Sequence, residues 1–297
     1  MVSILIPTYN YSIVNLVNQI YKQAIDSLIT FEIIVIDDCS TNKLFVQENN
    51  QVNDLDFCTL IENKKNLGRT ATRSLLAKKA KYERLLFLDA DVLPKYNDFI
   101  NRFRFSEMNT LQVVYGGVDY YKERPNENIL RWKYGKKREA KPVTERLKEP
   151  YFIISQNLLI DKELFLNLNS ENNNVYGLDI LFSSNLKKKG IKVEQIDNPV
   201  YHLGLESNEI FINKSLEAVK TTFILEEKGV IDNDFRPLQK SYLKLNKARV
   251  TLLFNFFISK FKNKMERNFK SNNPNLFWFD LYRLNYYIEL KLKKKGA

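Results

Sequence analysis

Residues 84–91, Arg-Leu-Leu-Phe-Leu-Asp-Ala-Asp, end an unbroken apolar run in two carboxylates one residue apart. Four consecutive apolar residues predict a strand buried on both faces. At the carboxyl end of such a strand in an open α/β sheet, where ligands collect, Asp89 and Asp91 would offer hard oxygens to a divalent cation that also holds phosphate. A solvated turn accounts for the same three residues, because Asp is favoured in turns. A second acidic pair, Asp37-Asp38, closes another apolar run. There a carboxylate such as Asp38 could accept the imide N–H of a uracil, while Tyr9 lies against the base and Arg69 and Arg73 meet phosphate. Each has a structural alternative: a helix cap for Asp38, loop packing for Tyr9, a solvated helix face for the arginines.

The elements that must position these residues alternate in type. Residues 2–6 read as a strand ended by Pro7, and Ile13, Val17, Ile20 and Ala24 follow at helical spacing. Strands are predicted at 31–36, 57–61 and 85–88, with a basic helix over 69–80. Strands alternating with helices imply right-handed crossovers and a mostly parallel sheet. In such a sheet the loops after Ile6, Ile36, Ile61 and Leu88 leave along one edge, so residues far apart in sequence can converge. Residues 113–121 and 191–196 read as further strands.

Composition excludes several classes. At 297 residues, 44% hydrophobic, the chain is long enough for a large core and an appendage. Its two cysteines make no disulfide framework and no Cys/His metal spacing, so a reducing, cytoplasmic setting is expected. The amino terminus opens into a strand without a secretory pattern, and no run of about 18 apolar residues is present to span a membrane. A formal charge of +11 favours an anionic partner. Zinc-finger spacing, an RRM-type motif and a basic arm are all missing, so nucleic acid is not expected. Glycine-rich dinucleotide and P-loop motifs are missing too.

Ile-Leu-Ile-Pro-Thr-Tyr-Asn at 4–10, Ile-Val-Ile-Asp-Asp-Cys-Ser at 34–40, Asn66-Leu67-Gly68 with Arg73, and Leu-Asp-Ala-Asp at 88–91 together resemble a family 2 glycosyltransferase. The resemblance is strongest over about residues 1–120 and continues to about 205. It implies an α/β fold of GT-A type, a nucleotide-sugar donor, Mn2+ or Mg2+, and inversion at the anomeric carbon. The nucleotide-sugar site it implies comprises Pro7, Tyr9, Asp38, Asn66, Gly68, Arg69, Arg73, Asp89 and Ala90. Cys39 stands where the family commonly has Gly or Asn, a departure that affects loop conformation more than chemistry.

The acceptor half is less legible. Trp132 lies in the charged stretch 122–149, which reads either as solvated helix and loop or as an acceptor site, since aromatic faces pack on sugar rings. Asn157, with Gln156, interrupts an apolar run and is expected to face the cleft, because buried amides are costly unless hydrogen-bonded. Asp179 opens a predicted helix and has a ready account as a first-turn acid. The resemblance makes it instead the general base, in a segment where Gly177 and Leu178 would contact the acceptor and Leu178 replaces the usual Glu. His202, the one histidine, would by resemblance join Asp89 and Asp91 as a metal ligand.

The expected organisation is a catalytic domain over 1–205, with 1–120 for the donor and 121–205 for the acceptor, followed by a helical extension over 206–297. Its stripes (Ile212, Leu216, Val219 and Phe223; then Phe277, Leu281, Leu284 and Ile288) and the apolar stretch 250–261 fit helices packed on the catalytic domain or on a second subunit of a homo-oligomer. They also fit a peripheral contact with the anionic inner face of the cytoplasmic membrane. The function expected is metal-dependent transfer from a UDP-sugar to a saccharide or lipid-linked acceptor, as in polysaccharide and cell-envelope biosynthesis. A non-catalytic sugar-binding descendant and a sugar-phosphate nucleotidyltransferase are the alternatives. The second lacks a Gly-rich loop after the first strand.

Overall fold

The apolar runs at 2–6, 31–36 and 85–88 are adjacent strands of one sheet in a computed structural model that describes residues 1–105, 112–169 and 179–295. In chain order the elements are β1 (Val2–Thr8), α1 (Val14–Asp26), β2 (Phe31–Asp37), α2 (Lys43–Asn49), β3 (Cys58–Glu62), α3 (Arg69–Lys79), β4 (Arg84–Leu88) and β5 (Val92–Pro94). They continue with β6 (Val113–Tyr115), β7 (Val118–Asp119), α4 (Ile129–Tyr134), α5 (Val143–Arg146), β8 (Asn157–Asp161), α6 (Lys162–Leu168), α7 (Asp179–Lys188), β9 (Val193–Gln195) and β10 (Val200–His202). Helices α8 (Asn208–Glu227), α9 (Pro237–Lys247), α10 (Thr251–Phe269) and α11 (Leu276–Lys295) follow.

The chain divides into two units. The first comprises residues 1–121, 138–174 and 185–204 and holds a seven-stranded sheet in the order β3-β2-β1-β4-β8-β6-β9. Strands β3, β2, β1 and β4 are parallel, as the alternating pattern requires, while β8 runs antiparallel to both β4 and β6. Val2, Ile4, Ile6, Ile33, Val35, Leu86 and Leu88 pack with Leu16, Val17, Ile20 and Ala24 of α1, so the helical stripe read from sequence is the face that covers the sheet.

The single strand expected at 113–121 is two strands in two sheets. Gly117, at φ +93, turns the chain between β6 and β7, a conformation that side chains disfavour. β7 then pairs with β10 and β10 with β5 in a small three-stranded sheet. That sheet matters for the site because it carries His202 at the end of β10 opposite Val92 of β5, one residue past Asp91.

The second unit comprises residues 122–137, 175–184 and 205–297. Its helices share a core of Leu130, Phe211, Met265, Phe269 and Phe279, and a second cluster around Val219, Tyr242, Leu284, Tyr287 and Ile288. The α8 stripe is as expected, and the helix stops just before Gly229 at φ +68. The α11 stripe differs at one position: Phe277 is 65% exposed, and Phe279 takes the buried place. Leu276, Phe277, Trp278 and Phe279 are all apolar, so periodicity alone cannot choose among them. Lys291 reaches from α11 to Glu226 and Glu227 of α8, 2.6 Å from each carboxylate. Among the described residues no helix is long and apolar enough to cross a membrane.

Candidate active site

All the donor-side candidates lie in the first unit, along the edge where β1, β2 and β4 end. Asp38 follows β2 and is buried. One of its carboxylate oxygens accepts the Leu67 N–H at 2.9 Å and the Asn63 side-chain amide at 2.8 Å, and the other accepts the Gly68 N–H at 2.7 Å. Asn66 returns a bond from its amide to the Asp38 carbonyl at 3.1 Å. Asp38 therefore anchors the loop that leads into α3, and its own N–H is held by Thr8 at 2.8 Å. Gly68 takes φ +82 at the start of α3, a geometry suited to glycine that leaves its N–H aimed at Asp38.

The loops after β1 and β2 are tied together. The Asn10 side-chain oxygen accepts the N–H groups of Thr41 and Asn42 at 2.8 and 2.9 Å, and Ser40 accepts the Asn10 N–H at 2.7 Å. Cys39 sits in this loop at φ +65, the left-handed region in which Gly and Asn are at ease. The departure from the family pattern is thus a backbone matter. Tyr9, at the end of β1, is 49% exposed and presents a ring to solvent, whereas Pro7 is partly covered within the strand.

Beyond β4 the two carboxylates face different partners. Asp89 is gripped by Arg69 at 2.7 Å and by Arg73 at 2.5 Å, one oxygen each. Arg73 is buried and also donates to the Ser155 hydroxyl and, at 2.6 Å, to the Ser155 carbonyl. Arg69 keeps 43% of its side chain exposed. Ala90 separates the two acids and packs on the main core. Asp91 turns instead to His202, with Oδ2 3.1 Å from Nε2. Burial works against the charge on Asp91, but the His202 bond, the ring's charge when protonated and nearby Arg69 together hold its carboxyl below the usual range. Tyr11 responds in the opposite sense: burial, then the Asp91 charge, push its hydroxyl pKa up.

Among the described residues no three His, Cys, Asp or Glu side chains are gathered as a metal site. Asp91 and His202 nevertheless fit a divalent cation as a pair. An ionised carboxylate beside an imidazole nitrogen is a donor set suited to manganese. The 3.1 Å between their ligating atoms also matches the roughly 3 Å that separates neighbouring ligands about 2.1 Å from an octahedral ion. Gly204 makes the arrangement possible: a Cβ there would overlap the Asp91 carboxylate. Gly204 and Ser155 belong to no motif and act through the fold, so sequence alone does not single them out.

The acceptor-side candidates are divided between the two units. Asn157 is wholly buried, its amide donating to the carbonyls of Gly117 at 3.0 Å and Asn198 at 2.7 Å, so it braces the β6–β7 turn. Trp132 is half-buried on α4 in the second unit, and Asp179 opens α7 there as a first-turn acid. Gly177 and Leu178 lie outside the described residues.

The glycosyl transferase family 2 model matches residues 3–168, more than half of the chain, and the chain belongs to that family. No curated protein matches it by sequence. Solved structures share its fold. The mannosyltransferase PcManGT from Pyrobaculum calidifontis, in complex with GDP-Man and Mn2+, matches with a TM-score of 0.60 at 16% identity, over 99% of this chain and 87% of that one. Mannosyl-3-phosphoglycerate synthase from Rubrobacter xylanophilus gives 0.55 at 14%, over 80% and 77%. S. aureus TarS 1–349 in complex with UDP-GlcNAc gives 0.51 at 17%, over 99% and 92%. The protein is a glycosyltransferase of GT-A fold. Membership of the family sets aside the nucleotidyltransferase alternative.

Proposed function

We propose that the enzyme inverts configuration as it moves a sugar from a UDP-sugar to a saccharide or lipid-linked acceptor, with a divalent cation at Asp91 and His202. The observation that carries the reading is the Asp91–His202 pair beside the arginine-bound Asp89. One structural relative is in complex with GDP-Man and Mn2+ and another with UDP-GlcNAc. A cation held there would supply positive charge to the diphosphate that leaves. Arg69, the more exposed of the two arginines, is the one better placed to meet phosphate, while buried Arg73 and Ser155 keep Asp89 in position. Drawing Arg69 onto phosphate would release one Asp89 oxygen toward the cation. Tyr9 would lie against the base. Asp38 acts mainly by fixing the 66–68 loop around it.

Asp179 is proposed as the general base that takes the acceptor hydroxyl proton, and Trp132, Gly177 and Leu178 as acceptor contacts. Acceptor-free hydrolysis of UDP-sugars tests the donor half. Slow release of UDP is expected with Mn2+ and none in chelator; equal rates in the two would contradict a metal-dependent donor site.

We propose in addition that α10 carries a peripheral contact with the anionic inner face of the cytoplasmic membrane. Leu252, Leu253, Phe256, Phe257 and Phe261 are all about half exposed or more, at the three- and four-residue spacing of one helix face. Exposed Lys244, Lys247 and Arg249 precede that face, and Lys260, Lys264 and Arg267 continue it, with Lys260 4.1 Å over the Phe256 ring. Each basic residue near an anionic surface contributes about 1 kcal/mol of attraction. A second copy of the chain docked symmetrically would set these cations against each other. Sedimentation with phosphatidylcholine vesicles is expected to capture the protein only when phosphatidylglycerol is present, and F256E/F257E to abolish capture. Equal capture by neutral vesicles, or a dimer that the same substitutions dissolve, would contradict it.

A further inference from the structure

Behind His202 lies a chain of hydrogen bonds that no donor contact requires. Tyr120, between β7 and α4, is buried, and its hydroxyl donates to the Glu139 carboxylate. The same hydroxyl oxygen is 3.2 Å from His202 Nδ1, with the two rings edge to face at 88°. All four groups, Glu139, Tyr120, His202 and Asp91, belong to the first unit.

The direction of these bonds fixes a proton. A carboxylate only accepts, and a tyrosine hydroxyl has one hydrogen. With that hydrogen given to Glu139, the Tyr120 oxygen faces Nδ1 as an acceptor, so Nδ1 must carry the N–H. A neutral ring protonated at Nδ1 then has its lone pair at Nε2, the atom 3.1 Å from Asp91 Oδ2. A lone pair and a carboxylate oxygen held that close make a place for positive charge, which a metal ion would supply. The outer partner of a ligating histidine commonly sets its tautomer in this way.

We infer that Tyr120 and Glu139 are positioning residues that hold His202 in its Nδ1–H tautomer and so present the Nε2 lone pair, beside Asp91, to a divalent cation. The inference rests on the metal reading of Asp91 and His202. It predicts a specific reversal. Without an acceptor at 139, the Tyr120 hydrogen is expected to turn onto Nδ1, the ring proton to move to Nε2, and Nε2–H to donate to Asp91, closing the place of the cation.

His202 is the one histidine in the chain, so its 15N imidazole signals are unambiguous. In metal-free protein with a neutral ring, the proton is expected on Nδ1 in the wild type and on Nε2 in Glu139→Met and Tyr120→Phe. Mn2+ binding followed by calorimetry is expected to weaken about 10- to 100-fold in both variants. Thermal melts check that each variant is folded, and Glu139→Asp should restore the wild-type tautomer in part. A wild-type proton on Nε2, or variants whose tautomer and Mn2+ affinity match the wild type, would overturn the inference. A wild-type Nδ1–H ring that reverses in Glu139→Met without any Mn2+ binding would support the relay and overturn the metal reading instead.

Discussion

Replacing Asp179 by Asn is expected to lower kcat by about 10²- to 10⁴-fold, the usual contribution of a positioned general base. The substitution separates two roles. As an acid in the first turn of α7, Asp179 interacts favourably with the helix dipole. Asn keeps the size and most of the capping ability of Asp, so a purely structural residue would tolerate the change with activity intact. A proton acceptor would not, because the amide cannot take the acceptor hydroxyl's proton. Donor binding should be unaltered, and the loss should fall on kcat at saturating acceptor. Near-normal kcat in Asp179→Asn would remove it from the reaction.

The second large effect is expected from Gly204→Ala. The new methyl group would occupy the space of the Asp91 carboxylate, which must then swing away from His202. A loss of about 10- to 100-fold in Mn2+ affinity is expected, similar to that from removing a residue that supports a metal ligand. Activity should fall with it and recover in part at high Mn2+. Wild-type Mn2+ affinity in Gly204→Ala would mean that Asp91 does not hold the cation where His202 meets it. The effect reaches the site through packing alone, since Gly204 has no side chain of its own to contribute.

These two residues show what sequence could and could not disclose. Continuous apolar runs ending at Pro7, Asp37 and Leu88 announced parallel strands whose loops share an edge, and the short motifs at those loops pointed to the family. Asp89 and Asp91, one residue apart, read as a single unit. In the fold they part, Asp89 to Arg69 and Arg73 and Asp91 to His202, because the chain turns between β4 and β5, whereas in a continued strand residues two apart would share a face. Gly204, Ser155 and Tyr120 were invisible beforehand: each matters for what lies across a turn or a second sheet, at separations no local pattern encodes. Asn157 was visible for a sound reason, an amide in an apolar run, but its partners are the carbonyls of Gly117 and Asn198. The split of residues 113–121 at Gly117 was missed because the apolar content runs on past the glycines, while the turn depends on φ +93.

The most direct measurement of the proposed function is calorimetric titration of the protein with a panel of nucleotide sugars, with Mn2+ and with chelator. A UDP-sugar is expected to bind in the presence of Mn2+, to bind more weakly in chelator, and to lose that metal dependence in Asp91→Ala. Binding stabilises the native state, so the preferred donor should also raise Tm most. Failure of every nucleotide sugar to bind, with metal or without it, would contradict the assignment of the Asp89–Asp91 edge as the donor site.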